Sequence, residues 1–115
     1  MPRDPRAYLF DIAEAAGLIR QFVGSRDYEA YVADALVQSG VERQFEIIGE
    51  ALSQLRRLDP DLAAAIREYQ RIIGFRNLLI HGYAEVDESV VWSIVTEKLP
   101  LLIADIQTLQ ARLGD

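Results

Sequence analysis

The sequence predicts an all-α protein, an up-and-down bundle of four main helices whose last member is kinked or split. Three observations carry this. Apolar residues recur in steps of four and three along most of the 115 residues, the spacing that lines one face of an α-helix. Asp4-Pro5 and Asp59-Pro60 each place a capping carboxylate before a proline suited to the first helical turn. No stretch alternates polar and apolar residues as a half-buried strand would.

Helix one follows Asp4-Pro5, with Tyr8, Ile12, Ala15, Ile19 and Phe22 on one stripe and Gly24 as its stop. Tyr28, Tyr31, Val32, Ala35 and Leu36 form a shorter second pattern that is expected to end near Ser39-Gly40. Ser39 and Glu42 read as a capping box for the third helix, where Val41, Phe45, Ile48, Leu52 and Leu55 repeat the stepping. A single kinked rod through Gly40 is the alternative, since glycine in a helix costs only about 1 kcal/mol relative to alanine. From Asp59-Pro60 the stripe continues through Leu62, Ile66, Tyr69 and Ile73, and the same count reaches Arg76, Ile80 and Tyr83. Gly82 is expected to end this helix in a left-handed conformation, and Asp87 to cap the last one. That helix carries Val91, Val95, Leu99, Leu102, Ile106, Leu109 and Leu113, and Pro100 should kink or split it near Thr96 to Leu99.

Residues 1–115 read as one domain. Half of the residues are hydrophobic and 26% are charged, the balance of a folded protein rather than a disordered one. No apolar run reaches the roughly 20 residues a membrane helix needs, and the first residues lack the apolar core of a signal peptide, so the expected location is the cytoplasm. With no cysteine and one histidine, thiol chemistry, Cys-ligated zinc and a multi-histidine metal site within one chain are excluded. No cofactor is expected.

The net charge of −6 argues against broad nonspecific binding of nucleic acid. Its distribution is uneven. Residues 40–83 carry six basic and six acidic groups, whereas residues 84–115 carry two and six. Arg67, Arg71 and Arg76 fall in a stretch whose only acid after Asp61 is Glu68, which suggests a confined phosphate site with Arg67 and Arg71 as substrate contacts.

The chemistry-bearing stretch is Arg76 to Tyr83, where a permanent cation, the only histidine and a tyrosine share eight positions. Histidine exchanges protons near neutral pH, and the guanidinium fork suits phosphate. Taken singly, each has a plainer reading. His81 would be a structural imidazole at a helix end, Arg76 a partner of Glu68 or Asp87, and Tyr83 an amphipathic rim residue. A guanidinium on an apolar seam is costly unless an interface or wet cleft opens there. Gly24-Ser25-Arg26-Asp27 faintly matches the start of a nucleotidyltransferase motif but reads better as a turn, and Asp59 and Asp61 read as capping groups rather than metal ligands.

Arg76-Asn77, three apolar residues, His81, any residue and Tyr83 together resemble the Arg-polar-x-x-x-His-x-Tyr motif of the HepT-like branch of the HEPN-domain ribonucleases. Glu42 to Ala51 looks like that branch's third-helix segment, and Ile73-Gly74-Phe75 like the approach to its motif. The resemblance implies a homodimeric, metal-independent endoribonuclease toxin paired with a small nucleotidyltransferase antitoxin. It implies that Arg76 and His81 are catalytic, that Asn77 is their polar companion, and that Tyr83 is the tyrosine to which the antitoxin adds AMP. The alternative is a non-catalytic helical binding partner of a nucleotidyltransferase. Metal-free cleavage needs a base for the ribose 2′-hydroxyl, an acid for the leaving oxygen and a cation for the developing charge. One chain offers one histidine, so a composite site shared by two copies is expected.

Overall fold

The computed structural model describes residues 3–82 and 86–114. Its secondary structure is helical throughout: α1 Pro5–Val23, α2 Tyr28–Val32, α3 Ala35–Leu58, α4 Pro60–Ala64, α5 Tyr69–His81, α6 Glu88–Ser93, a π-helical turn Ile94–Lys98, and α7 Leu99–Arg112. The four main members of the bundle are α1, α3, α5 and the run from α6 to α7. No helix is long and apolar enough to cross a membrane, among the described residues.

Capping follows the sequence closely. The Asp4 carboxylate accepts from the Arg6 N–H at 2.8 Å, and hydrogen bonds from the Arg6 side chain and backbone hold the carboxyl down at about 2. Gly24 closes α1 at φ 54°, a left-handed conformation that a β-carbon disfavours. Asp27, Asp59 and Asp87 cap α2, α4 and α6 in turn, which gives the aspartates of Gly24–Asp27 and of Asp59-Pro60 ordinary capping roles.

The second boundary differs from expectation. Asp34, not Ser39, caps α3, accepting from the Val37 N–H at 3.1 Å, and the helix runs unbroken through Ser39 and Gly40. Asp34 wins because an aspartate at N-cap outcompetes a serine already one turn inside a good helix. Gly40 has a packing role. A β-carbon there would stand 3.1 Å from the Phe22 ring, so the end of α1 sits on the start of α3 and the two helices run antiparallel.

The expected helix from Asp59 to Gly82 is also two helices. It breaks between Ala64 and Tyr69, with Glu68 in the left-handed region at φ 58°. The Asp105 carboxylate of α7 explains the break. It accepts from the Arg67 backbone N–H at 2.9 Å and from its guanidinium at 2.9 Å, taking the chain away from α-helical bonding. Glu68 is then clamped between Arg71 at 2.6 Å and Lys98 at 2.9 Å, which offsets the cost of its backbone.

Near Pro100, where a kink or split is expected, the last helix divides into α6 and α7, joined without a gap by the π-helical turn Ile94–Lys98. Pro100 lacks the N–H that would bond to Thr96, and the chain accommodates this by widening one turn, the Leu99 N–H reaching back five residues to the Ile94 carbonyl. The core lies between α1, α3 and α7, where Ile12, Ile19, Ile48, Leu52, Leu102 and Ile106 are buried. On the far side of α3 packs α5.

The start of α6 is tied to α2 and α3 by a half-buried polar cluster. Tyr31, fully buried beside Trp92, donates to Glu88 Oε1 at 2.8 Å, and burial together with Glu88 raises the phenol, keeping it a donor. Burial, then hydrogen bonding and repulsion from Glu88, push Glu42 up from 4.5 to about 7. A raised carboxyl binds more protons folded than unfolded, so its contribution is full below about pH 4.5 and is lost as pH rises to about 7. Glu42→Gln should therefore stabilise the protein at pH 8 by about 1 kcal/mol, a figure discounted for partial solvent screening. Melting temperatures at pH 5 and pH 8 check this: the gain should appear at pH 8 and shrink at pH 5.

Candidate active site

The break at Glu68 sets the rotation of α5. Ile72, Ile73, Phe75 and Leu79 turn inward, and Phe75 meets Phe45 of α3 edge to face, ring centroids 5.3 Å apart. One step around from Phe75, Arg76 falls at the α3 border rather than in open solvent, with 25% of its side-chain surface exposed.

The guanidinium is held from two sides. Its Nη2 donates to Glu50 Oε2 at 2.8 Å and its Nη1 to Asn77 Oδ1 at 2.9 Å. Neither Glu68 nor Asp87 is its partner. Glu68 belongs to Arg71 and Lys98, and Asp87 turns to cap α6. The Arg76 Nε is buried with no hydrogen-bond partner among the described residues. Of five guanidinium protons, two on the Nη atoms remain for a substrate anion. The group opens into a depression of about 410 Å³ that Arg3, Arg43 and Gln54 also line.

Asn77 is exposed, and its amide oxygen already serves Arg76. His81 is the last residue of α5 and is exposed. It lies five positions after Arg76, about 140° around an α-helix and about 7.5 Å along it. Accordingly Ile80 lines the Arg76 depression and His81 does not. Gly82 ends the helix without the left-handed turn expected of it: φ is −123°, and its N–H returns to the Leu78 carbonyl at 2.7 Å. Tyr83 lies outside the described residues.

Arg67 and Arg71 stand elsewhere. They line a groove of about 390 Å³ between α5, α6 and α7, on the opposite side of α5 from Arg76, with Phe75, Leu78 and Lys98. Both are occupied, Arg67 by Asp105 and Arg71 by Glu68. The Arg67 pair holds the Asp105 carboxyl below its ordinary range against the opposing effect of burial. The cations that do share the Arg76 depression, Arg3 and Arg43, were not singled out by the sequence. They belong to α3 and to the approach to α1, and no local spacing links them to residue 76. Glu50 and Gly49 were visible only as part of the Glu42–Ala51 segment. Among the described residues, no three His, Cys, Asp or Glu side chains are grouped to hold a metal ion.

Comparison with known proteins places the chain in a family. The family model described as "Ribonuclease HepT-like" matches residues 12–109. A protein of Thermococcus cleftensis named "Probable ribonuclease HepT" is 35% identical over 114 residues, covering 96% of this chain and 99% of its own. One from Methanocaldococcus jannaschii, named "Putative RNase MJ1380", is 31% identical over 109 residues, covering 91% and 95%. No solved structure matches. With a helical bundle over the described residues and a family match over most of its length, the chain belongs to the HepT-like ribonuclease family.

Proposed function

We propose that this chain is a metal-independent endoribonuclease toxin that acts as a homodimer, with Arg76 and His81 of two copies forming one composite site. The observation that carries this reading is the divergence of the two residues on α5. Arg76 packs toward α3 and lines the depression, whereas His81 is exposed and does not line it, so one chain does not bring the phosphate-binding cation and the proton carrier into the same depression. A two-fold partner supplies a second histidine and a second arginine across the same cleft.

In the reaction, the ribose 2′-oxygen attacks the adjacent phosphorus and the bond to the 5′-oxygen breaks. One His81 takes the 2′ proton, the other gives a proton to the leaving 5′-oxygen, and the product strand carries a 2′,3′-cyclic phosphate. Arg76 holds the phosphoryl oxygens as their charge grows, steadied by Asn77. Arg67 and Arg71 serve as outlying phosphate contacts on the far side of α5, exchanging their carboxylates for the strand. The test is cleavage of RNA by the purified protein in excess chelator. Cleavage that requires added divalent metal would overturn the metal-independent mechanism.

The same reading includes an antitoxin, a small cytoplasmic nucleotidyltransferase that adds AMP to Tyr83. A bulky anion two residues from His81 would compete with the substrate phosphate and switch the site off. Incubation with ATP and a purified small nucleotidyltransferase of the proposed antitoxin class is expected to raise the intact mass by AMP units in the wild type and not in Tyr83→Phe. An increase that persists in Tyr83→Phe assigns the modification to another residue.

A further inference from the structure

We infer that Gly49 is a positioning residue for Arg76: its missing side chain is the slot in which the arginine stem lies, and the slot fixes where the guanidinium stands. The inference rests on the reading of Arg76 as the phosphate-holding residue.

Gly49 is buried in the middle of α3, a place where helix propensity alone favours alanine by about 1 kcal/mol. Its φ lies outside the left-handed region, so backbone conformation does not require glycine there. The reason is contact. A β-carbon at Gly49 would stand 2.6 Å from Arg76 Cγ and closer still to Arg76 Cβ. Carbon atoms in contact settle at about 3.5–4.0 Å. The atoms in the way are the root of the side chain rather than its mobile tip. The β-carbon moves only with the α5 backbone, so no change of rotamer relieves the overlap.

Three further features depend on this crossing. Glu50, the next residue on α3, reaches the guanidinium at 2.8 Å. The Arg76 Nε is buried where the stem passes over the helix. Phe45, one turn before Gly49, meets Phe75, the residue before Arg76. Moving α5 outward by the ångström that an added methyl demands would lengthen the Glu50 bond and shift the guanidinium by a similar amount. Misplacement on that scale costs a catalytic group much of its effect, on the order of 100-fold. Gly17 and Gly74 are different: a β-carbon at either meets nothing within 4 Å.

The test uses the full chain as wild type, Gly49→Ala, Arg76→Gly, the double variant and Gly17→Ala, each measured for RNA cleavage and thermal unfolding. Gly49→Ala is expected to lose at least about 30-fold in kcat with KM within threefold, because a displaced Arg76 fails at the charge that develops in the transition state. Gly17→Ala should cleave as the wild type does. In the Arg76→Gly background the overlap is gone, so the double variant should melt no lower than Arg76→Gly alone. Wild-type kcat in Gly49→Ala, beside loss of cleavage in Arg76→Gly, would overturn the positioning role. A double variant that melts well below Arg76→Gly would overturn it too, and this arm decides the matter if Gly49→Ala alone does not fold. Undiminished cleavage by Arg76→Gly would instead remove the reading of Arg76 on which the inference rests.

Discussion

His81→Ala is expected to lower kcat for RNA cleavage by about 100- to 10,000-fold, the range for removing a general acid or base. Arg76→Ala should lower it by about 100- to 1,000-fold, the range for one electrostatic donor at a phosphoryl or acyl transition state. Stability separates the two variants. His81 is exposed at the end of α5 and lines no packed surface with Arg76, so its replacement should change the unfolding free energy by no more than about 0.5 kcal/mol. Arg76→Ala also strips Glu50 and Asn77 of their shared donor and uncovers the α3 face at Gly49, so a lower melting temperature should accompany the lost activity. Single-turnover cleavage and thermal melts on both variants check these outcomes. Wild-type cleavage by His81→Ala would remove His81 from the proposed mechanism.

Phe45→Ala should be the most damaging core substitution near the site, costing about 3–5 kcal/mol. The ring is 1% exposed and stands edge to face against Phe75, so its removal empties the contact that seats α5 on α3. Domains of this size have about 5–15 kcal/mol in total, so a large share of the stability would go. Urea denaturation should show a much lower midpoint with little change in slope. Ile80→Ala, at an exposed position on α5, is the matched control and should shift the midpoint little. A loss below about 1 kcal/mol in Phe45→Ala would mean that α5 is held mainly by other contacts.

Helix identity was legible wherever the apolar stepping and a cap agreed, as in α1, in the body of α3 and at the start of α6. It failed where a tertiary bond overruled a local signal. Nothing near Arg67 announces that its backbone N–H will be taken by Asp105, 38 residues away, so the helix break and the left-handed Glu68 were invisible. Ser39 and Glu42 had the spacing of a capping box, yet Glu42 faces Glu88 and the cap sits at Asp34. The site divides in the same way. Arg76, Asn77 and His81 could be grouped from the sequence because they are near neighbours on one helix. Glu50, Gly49 and Arg43 come from a different helix, and Arg67 and Arg71 stand across α5 from Arg76, since proximity in sequence is not proximity in space.

The depression around Arg76 holds three cations, and each is tied to its own carboxylate: Arg3 to Asp11, Arg43 to Glu46 and Arg76 to Glu50. Seen from a few Debye lengths away these are dipoles rather than charges, set on a chain whose net charge is −6. A passing polyanion is therefore not drawn in from a distance, and electrostatic steering of the kind that accelerates basic nucleases is absent. Attraction begins only when a phosphate comes close enough to displace a carboxylate from its arginine. On the proposed reading such a surface would admit RNA by exchange of partners at short range, and would discriminate by which strand reaches the arginines rather than by how strongly the protein attracts nucleic acid in general.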